Sequence, residues 1–361
     1  METKKLRNGS IDVLKFCLAV AIILFHGKKI YNGDDAGLFF QGASAVECFF
    51  IISGYYMVKT AYERKIDSFE YIKKRWLSIF PYHLFAFVFA FIVRAYLLSY
   101  FSAFSLQNLN KIAILGVLSV PEFLIFPPLS GLAYGLSGVN GMEWYLSALL
   151  LGMAILYPLA KKYPRQYCIY VGPLIFLFLS GWLYQTQGTY RVTYNYSNYI
   201  CLGLVRAIAL LPLGGSIYWA AKKQAEKRTA EGKDTYTYKE RTLMTILSIV
   251  CWIIVFGFFN SSLPKKDIFA VVYFMAAGVY LEMIHGTWFS CWFNNRFASF
   301  LGKISLPLYL NQGYIRKVMI KAKLDWSYSK CILVYVGVTF LMASLSVLIA
   351  DVVKKRSAST H

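Results

Sequence analysis

The chain has 361 residues, of which 58% are apolar, 18% aromatic and only 16% charged, against roughly 25% charged in an ordinary soluble domain. A soluble core cannot absorb that much apolar surface, which excludes a soluble globular fold and points to an all-α polytopic membrane bundle. The formal net charge of +20 is spread over short loops, with no basic domain to hold a duplex. It excludes nucleic acid as a partner and fits topogenic charge with attraction to anionic lipid.

Apolar runs of bilayer length, separated by charged or Gly/Pro/Asn-rich breaks, predict about ten transmembrane helices. They fall at 10–26, 44–60, 80–101, 143–160, 167–184, 199–221, 242–260, 267–285, 297–320 and 330–350. Residues 1–361 read as a single integral-membrane domain. The first run is followed by HGKKIYNGDD rather than a small-residue cleavage site, so it is expected to stay as helix one. With the N-terminus in the cytoplasm, most loop Lys and Arg fall on the cytoplasmic side and both termini face inward. Two outer stretches break the pattern. Residues 102–142 contain the Pro-broken PEFLIFPPLSG and are expected at the interface or partway into the membrane. Residues 316–330 carry Arg316, Lys317, Lys321, Lys323 and Lys330 where few cations belong, which suggests a re-entrant segment. The seven cysteines lie singly, mostly in apolar runs, and read as packing residues. Four histidines, one of them at the C-terminus, predict no metal centre.

Lys15 and His26 stand eleven residues apart in span one, about three turns and roughly 16 Å along one helix face. Lys15 is expected near the cytoplasmic edge, one turn from Asp12, and His26 near the outer edge. Glu47 opens span two in SAVECFFIISGYYM, and an intramembrane carboxylate needs a partner. Gly54 shares its helix face and lets a neighbouring helix approach closely. If that neighbour is span one, Glu47 meets His26 and orients its imidazole. Arg94, Glu143 and Arg206 fall on the same outer half, with Asp34 and Asp35 in the first outer loop, and predict an outward-facing polar cavity that takes an acceptor. On the inner side, YIKKRWLSIFPYH places Lys73, Lys74 and Arg75 just before span three, and Glu282, His285 and Lys303 lie at the inner ends of later spans.

Several stretches, in order along almost the whole chain, together resemble the acyltransferase family 3 of integral-membrane enzymes. NGSIDVLKFCLAVAIILFH resembles that family's first helix, with a basic residue, ten intervening positions and a histidine, here Lys15 and His26. AVECFFIISGYYM, YIKKRWLSIFP, EWYLSALLLGMAILYP and LGKISLPLYLNQ resemble four later signatures. Lys15 stands where arginine is common, which keeps the charge and loses the bidentate fork. Ser78 occupies the position of a second arginine after Arg75, and Gln312 stands where many relatives have a late histidine.

The resemblance implies transfer of an acyl group, most often acetyl, from cytosolic acyl-CoA to a hydroxyl of a cell-envelope or exported carbohydrate or glycolipid. It implies a bacterial plasma-membrane O-acetyltransferase, with acetyl-CoA or another acyl-CoA as co-substrate. Lys15, Lys74 and Arg75 would meet the coenzyme phosphates. His26 would act as general base, with Glu47 holding the imidazolium, and Ser53 or Tyr55 would donate to the thioester oxygen. An acyl-histidine intermediate is a second route. Two rival functions fit the same composition: a transporter or flippase for an envelope lipid or sugar, and a noncatalytic partner in polysaccharide export.

Overall fold

The computed structural model describes residues 8–30, 38–64, 66–99, 105–125, 138–193, 196–197, 200–233, 235–323 and 325–359. Asp34 and Asp35 lie outside these, as do residues 126–131 of the PEFLIFPPLSG stretch. The described chain is a helical bundle. Its helices are α1 (Gly9–Gly27), α2 (Ala45–Glu63), α3 (Ser68–Leu97), α4 (Leu106–Phe123), α5 (Trp144–Lys162) and α6 (Pro164–Gln187). There follow α7 (Leu202–Ala230), α8 (Tyr238–Phe259), α9 (Ile268–Met283), the short α10 (Trp288–Trp292), α11 (Arg296–Ala322) and α12 (Tyr328–Ser359). The β content is a two-residue antiparallel pairing of Tyr196–Ser197 with Ile200–Cys201 ahead of α7.

A helix lies on each of the ten predicted segments, but among the described residues seven helices are long and apolar enough to cross a membrane: α1, α3, α5, α6, α7, α8 and α12. The count of ten spans is therefore not confirmed. Helix α9 has 16 residues, whereas α2 and α11 carry more polar groups than an apolar span. Those two helices are wrapped by others, and a helix screened from lipid can carry polar side chains that a perimeter helix cannot. Among the seven, the apolar windows of α1, α5 and α7 are 61–67% buried and those of α3, α6, α8 and α12 are 28–33% buried. The first three therefore join α2 and α11 in the interior, and the other four form the perimeter.

Two expected boundaries move. The KKR cluster is not a loop before span three: Asp67 caps α3 by accepting from Phe69 N–H, and the helix runs from Ser68 through Pro81. That cap holds the exposed Asp67 carboxyl below its usual range, mainly through the Phe69 N–H. At the other end, residues 316–322 of the expected re-entrant stretch belong to α11. Helix α11 continues to Ala322, so Arg316, Lys317 and Lys321 occupy its last turns, and Lys323 ends it in the left-handed region with φ 46°.

Two glycine contacts fix the interior. Helices α2 and α7 run side by side in the same direction, with Gly54 on the Leu211 carbonyl and Gly214 on the Ile51 carbonyl. Helices α1 and α11 are also parallel, with Gly9 against the Phe293 carbonyl and Gly302 against the Asp12 carboxylate. Where no side chain intervenes, backbones approach and dispersion contacts accumulate without help from water. A Cβ at Gly54 would run into the Leu211 carbonyl. Gly54→Val is accordingly expected to destabilise the protein by about 3 kcal/mol or more, read as a lower midpoint for loss of the monodisperse peak on heating in detergent. Gly116, with open space around it, serves as the control position and should tolerate valine far better.

Candidate functional site

A passage enters the bundle at the Lys15 end of α1. Its mouth is a cavity of about 610 Å³ with Lys15, Lys59, Arg64, Lys74 and Arg75 among the lining residues. Lys15, Tyr56, Arg75 and Ser78 also line a second cavity of about 380 Å³ that runs between α2, α3, α5 and α11. The two are thus contiguous, with a cationic waist. Beyond the waist Phe49, Ile52, Leu149 and Met153 form an apolar stretch of wall, and Lys303 and Lys354 add two further cations. The far end lies at Val46 on α2, Tyr145 on α5 and Tyr309 on α11.

Local structure aims the waist groups. Lys15 Nζ lies 3.8 Å from Asp12 Oδ1 and 5.3 Å from the centre of the Tyr56 ring. Arg75 Nε donates to Tyr71 Oη at 3.3 Å, and Tyr71 is itself fixed by stacking on Tyr157 at 4.0 Å. Ser78 Oγ donates to the Arg75 carbonyl at 2.8 Å, so it supplies a neutral hydroxyl where a second arginine was the family pattern. Lys74 pairs with Glu70 in an exposed contact at 3.3 Å. The structure therefore brings Lys15, Lys74 and Arg75 to one opening.

The expected contact between Glu47 and His26 is absent. Gly54 does admit a neighbouring helix, but that helix is α7, which carries Arg206 to Glu47. The pair is buried, with Glu47 0% and Arg206 1% exposed. Arg206 also donates to the carbonyls of Val192 at 3.1 Å and Ala43 at 3.5 Å, and its guanidinium lies 5.1 Å from the Trp144 ring centre. Glu47 and Arg206 thus form a buried ion pair, with Glu47 Oε1 and Arg206 Nε lacking a hydrogen-bond partner among the described residues, next to Val46 on the passage wall. His26 meets α11 instead: Arg316 Nη1 donates to His26 Nδ1 at 2.7 Å. In a neutral ring that places the proton on Nε2.

Ser53 and Tyr55 lie at the other level of the bundle. Helix α2 runs antiparallel to α1, with Tyr56 opposite Lys15 and Gly42 against Ala21 and Phe25. Ser53 is on the wall of the inner cavity, bonded to Tyr145, and Tyr55 is at the mouth, edge-on to Tyr56 and Tyr218. Neither is at the height of His26. The predicted outward cavity joining Arg94, Glu143 and Arg206 does not form among the described residues. Glu143 is enclosed with His83, whose Nδ1 is 3.3 Å from Glu143 Oε1 and whose Nε2 donates to the Phe123 carbonyl at 2.8 Å. Arg94 lies in the last turn of α3, about three turns beyond His83 on the same helix, where its charge reaches Lys317 on α11.

Several of these groups escaped the sequence reading. His83 follows Pro81, where the helix was expected only to begin, and Arg316 looked like a loop cation. Tyr145 and Tyr309 are ordinary aromatic residues of apolar helices. Glu282 is a satisfied structural acid that accepts from Ser248 at 2.7 Å and from Thr287 at 2.8 Å. Lys303 donates to Asp351 at 2.6 Å. Among the described residues no group of three or more His, Cys, Asp or Glu is placed to hold a metal ion.

Compared with known families, residues 8–351 match the model of an acyltransferase domain, acyltransferase 3. No curated protein and no solved structure matches the chain.

Removing Arg206 strands a buried carboxylate. Arg206→Ala is expected to cost about 3–5 kcal/mol, seen as a large drop in thermal midpoint in detergent. The pair Glu47→Gln with Arg206→Gln should recover much of that loss, because no unpaired charge is then left in the interior.

Proposed function

Because the chain belongs to the acyltransferase 3 family, we propose that it moves an acyl group, acetyl in the simplest case, from cytosolic acyl-CoA to a hydroxyl of a cell-envelope or exported carbohydrate. One observation carries this reading: a passage with a cationic mouth and waist and an apolar stretch of wall beyond them, inside a bundle of membrane-type helices. Acyl-CoA has the complementary polarity, with phosphates at one end and a thin pantetheine arm at the other. The phosphates would meet Lys15, Lys74 and Arg75 as charge-assisted hydrogen-bond partners. The arm would lie along Ile52, Leu149 and Met153, which present no competing charge.

On this reading the mouth faces the cytoplasm, in agreement with the basic residues around it, and the His26 end faces outward in a bacterial plasma membrane. Both termini are cytoplasmic. The reaction replaces a C–S bond by a C–O bond. The acceptor hydroxyl gives its proton to a base as its oxygen attacks the thioester carbonyl; the C–S bond then breaks and the proton passes to the coenzyme thiolate. His26 is the proposed base, through Nδ1 once Arg316 releases it. Lys15 lines the passage, whereas His26 lines neither of its two cavities, so on this reading the thioester meets His26 beyond Tyr309, along the α11 face that leads through Gln312 to Arg316.

Glu47 does not reach His26, so its proposed part is structural: with Arg206 it braces α2 against α7 next to Val46 on the passage wall. Ser53 and Tyr145, hydrogen-bonded on the wall, are positioned for the pantetheine arm and not for the oxyanion.

The reading is tested with purified protein in nanodiscs, radiolabelled acetyl-CoA and soluble glycosides. Transfer is expected in the wild type. His26→Ala should lower kcat on the order of a hundredfold or more with acyl-CoA binding retained. Arg75→Ala should instead raise KM for acyl-CoA several-fold with a smaller effect on kcat. Unchanged acetyl transfer by His26→Ala at equal abundance would remove His26 as base, and substrate movement across vesicles lacking acyl-CoA would favour transport.

A further inference from the structure

Cations gather at the end of α1 farthest from the cationic mouth. Among the described residues, the charges whose fields reach the His26 ring belong to Arg316, Lys29, Arg191 and Lys28, and all four are positive. Two of them are held by neutral groups. Arg316 donates to His26 Nδ1 at 2.7 Å while its Nε is buried without a hydrogen-bond partner. Arg191 donates to Gln41 Oε1 at 2.9 Å and lies 4.8 Å from the Phe25 ring centre. Glu47, whose field reaches Arg191, is already committed to Arg206.

A buried guanidinium with an unused N–H is costly unless something anionic completes it. Arg316 on the imidazole and Arg191 over the Phe25 ring, whose centre is 5.0 Å from that of His26, are both held on neutral partners and poised for a carboxylate or phosphate, which each can grip with paired donors. The position also accounts for Arg316, a cation on the side of the bundle that the charge rule leaves poor in them.

We propose that Arg316 and Arg191 form an anion subsite beside His26, for a carboxylate or phosphate carried by one of the two reactants. The inference rests on the acyl-transfer reading and narrows its substrates. The anion belongs either to the acceptor, as in a uronic acid or a sugar phosphate, or to the transferred group, as in the half-thioester of a dicarboxylic acid. Binding has a chemical consequence. An anion that draws Arg316 Nη1 away frees the Nδ1 lone pair of His26, so the base is unmasked only when the anionic reactant is in place.

The full-length protein in nanodiscs is titrated with glucuronate, succinate and glucose, with thermal midpoint as the readout of binding. At least one anion is expected to bind on the order of tenfold more tightly than glucose. Arg191→Gln should remove most of that preference and Arg191→Lys should keep part of it. Equal affinity for all three ligands overturns the subsite. So does an anion preference untouched by Arg191→Gln, because the anion is then held at the basic mouth. Turnover identifies the source: methyl glucuronide against methyl glucoside, both with acetyl-CoA, reports on the acceptor, and succinyl-CoA against acetyl-CoA with methyl glucoside reports on the acyl group. If an Arg191-dependent anion preference appears in binding while no pair turns over, the subsite stands and the acyl-transfer reading falls.

Discussion

The backbone contact between α2 and α7 governs much of the interior. Gly54 and Gly214 remove the side chains that would hold those helices apart, and the resulting approach delivers Arg206 to Glu47. Such a pair contributes little net stability, because desolvation of both charges offsets their attraction. Its influence is on register. Neither helix can slide along the other without stranding a charge in a medium with no water to receive it, so the pair specifies one arrangement. That arrangement in turn places Val46 and Tyr145 at the end of the passage.

A second parallel contact, between α1 and α11, organises the chemistry in the same way. Gly302 accommodates the Asp12 carboxylate, which lies within 3.8 Å of the Lys15 amine. Fourteen residues further along both helices, His26 meets Arg316. The two ends of the α1 stripe are therefore each tied to the same partner helix. Gly302, Ser305, Tyr309, Gln312 and Arg316 follow one another at three- and four-residue spacing and so share one face of α11. The first three line the passage. Gln312, fully buried with both amide atoms unpartnered, comes next, and Arg316 ends the row at the imidazole. One polar face of a single helix thus connects the cavity with the histidine, which explains why α11 is too polar to count as an apolar span yet lies deep in the bundle.

Much of this was legible in the sequence. Helix positions followed from runs of apolar residues, because the length of a span is set by the thickness of hydrocarbon. The Lys15 and His26 stripe followed from helical periodicity, and part of the basic mouth from Lys74 and Arg75. The ordered motifs also carried the family. The start of α3 did not follow: Pro81 looked like a beginning, whereas the helix runs through it from the Asp67 cap.

Pairing between helices was the part that one-dimensional information did not contain. Glu47 has the same helical face in either reading, and its sequence neighbourhood does not say whether α1 or α7 will occupy the space beside Gly54. Likewise Arg316 reads as a loop cation until α11 is seen to continue beneath it and to lie along α1. Composition, spacing and periodicity depend on neighbours along the chain, and those determined where the helices fall, the stripe on α1 and much of the mouth. Which charge met which depended on how closely pairs of helices could approach, and only the packed tertiary structure decided that.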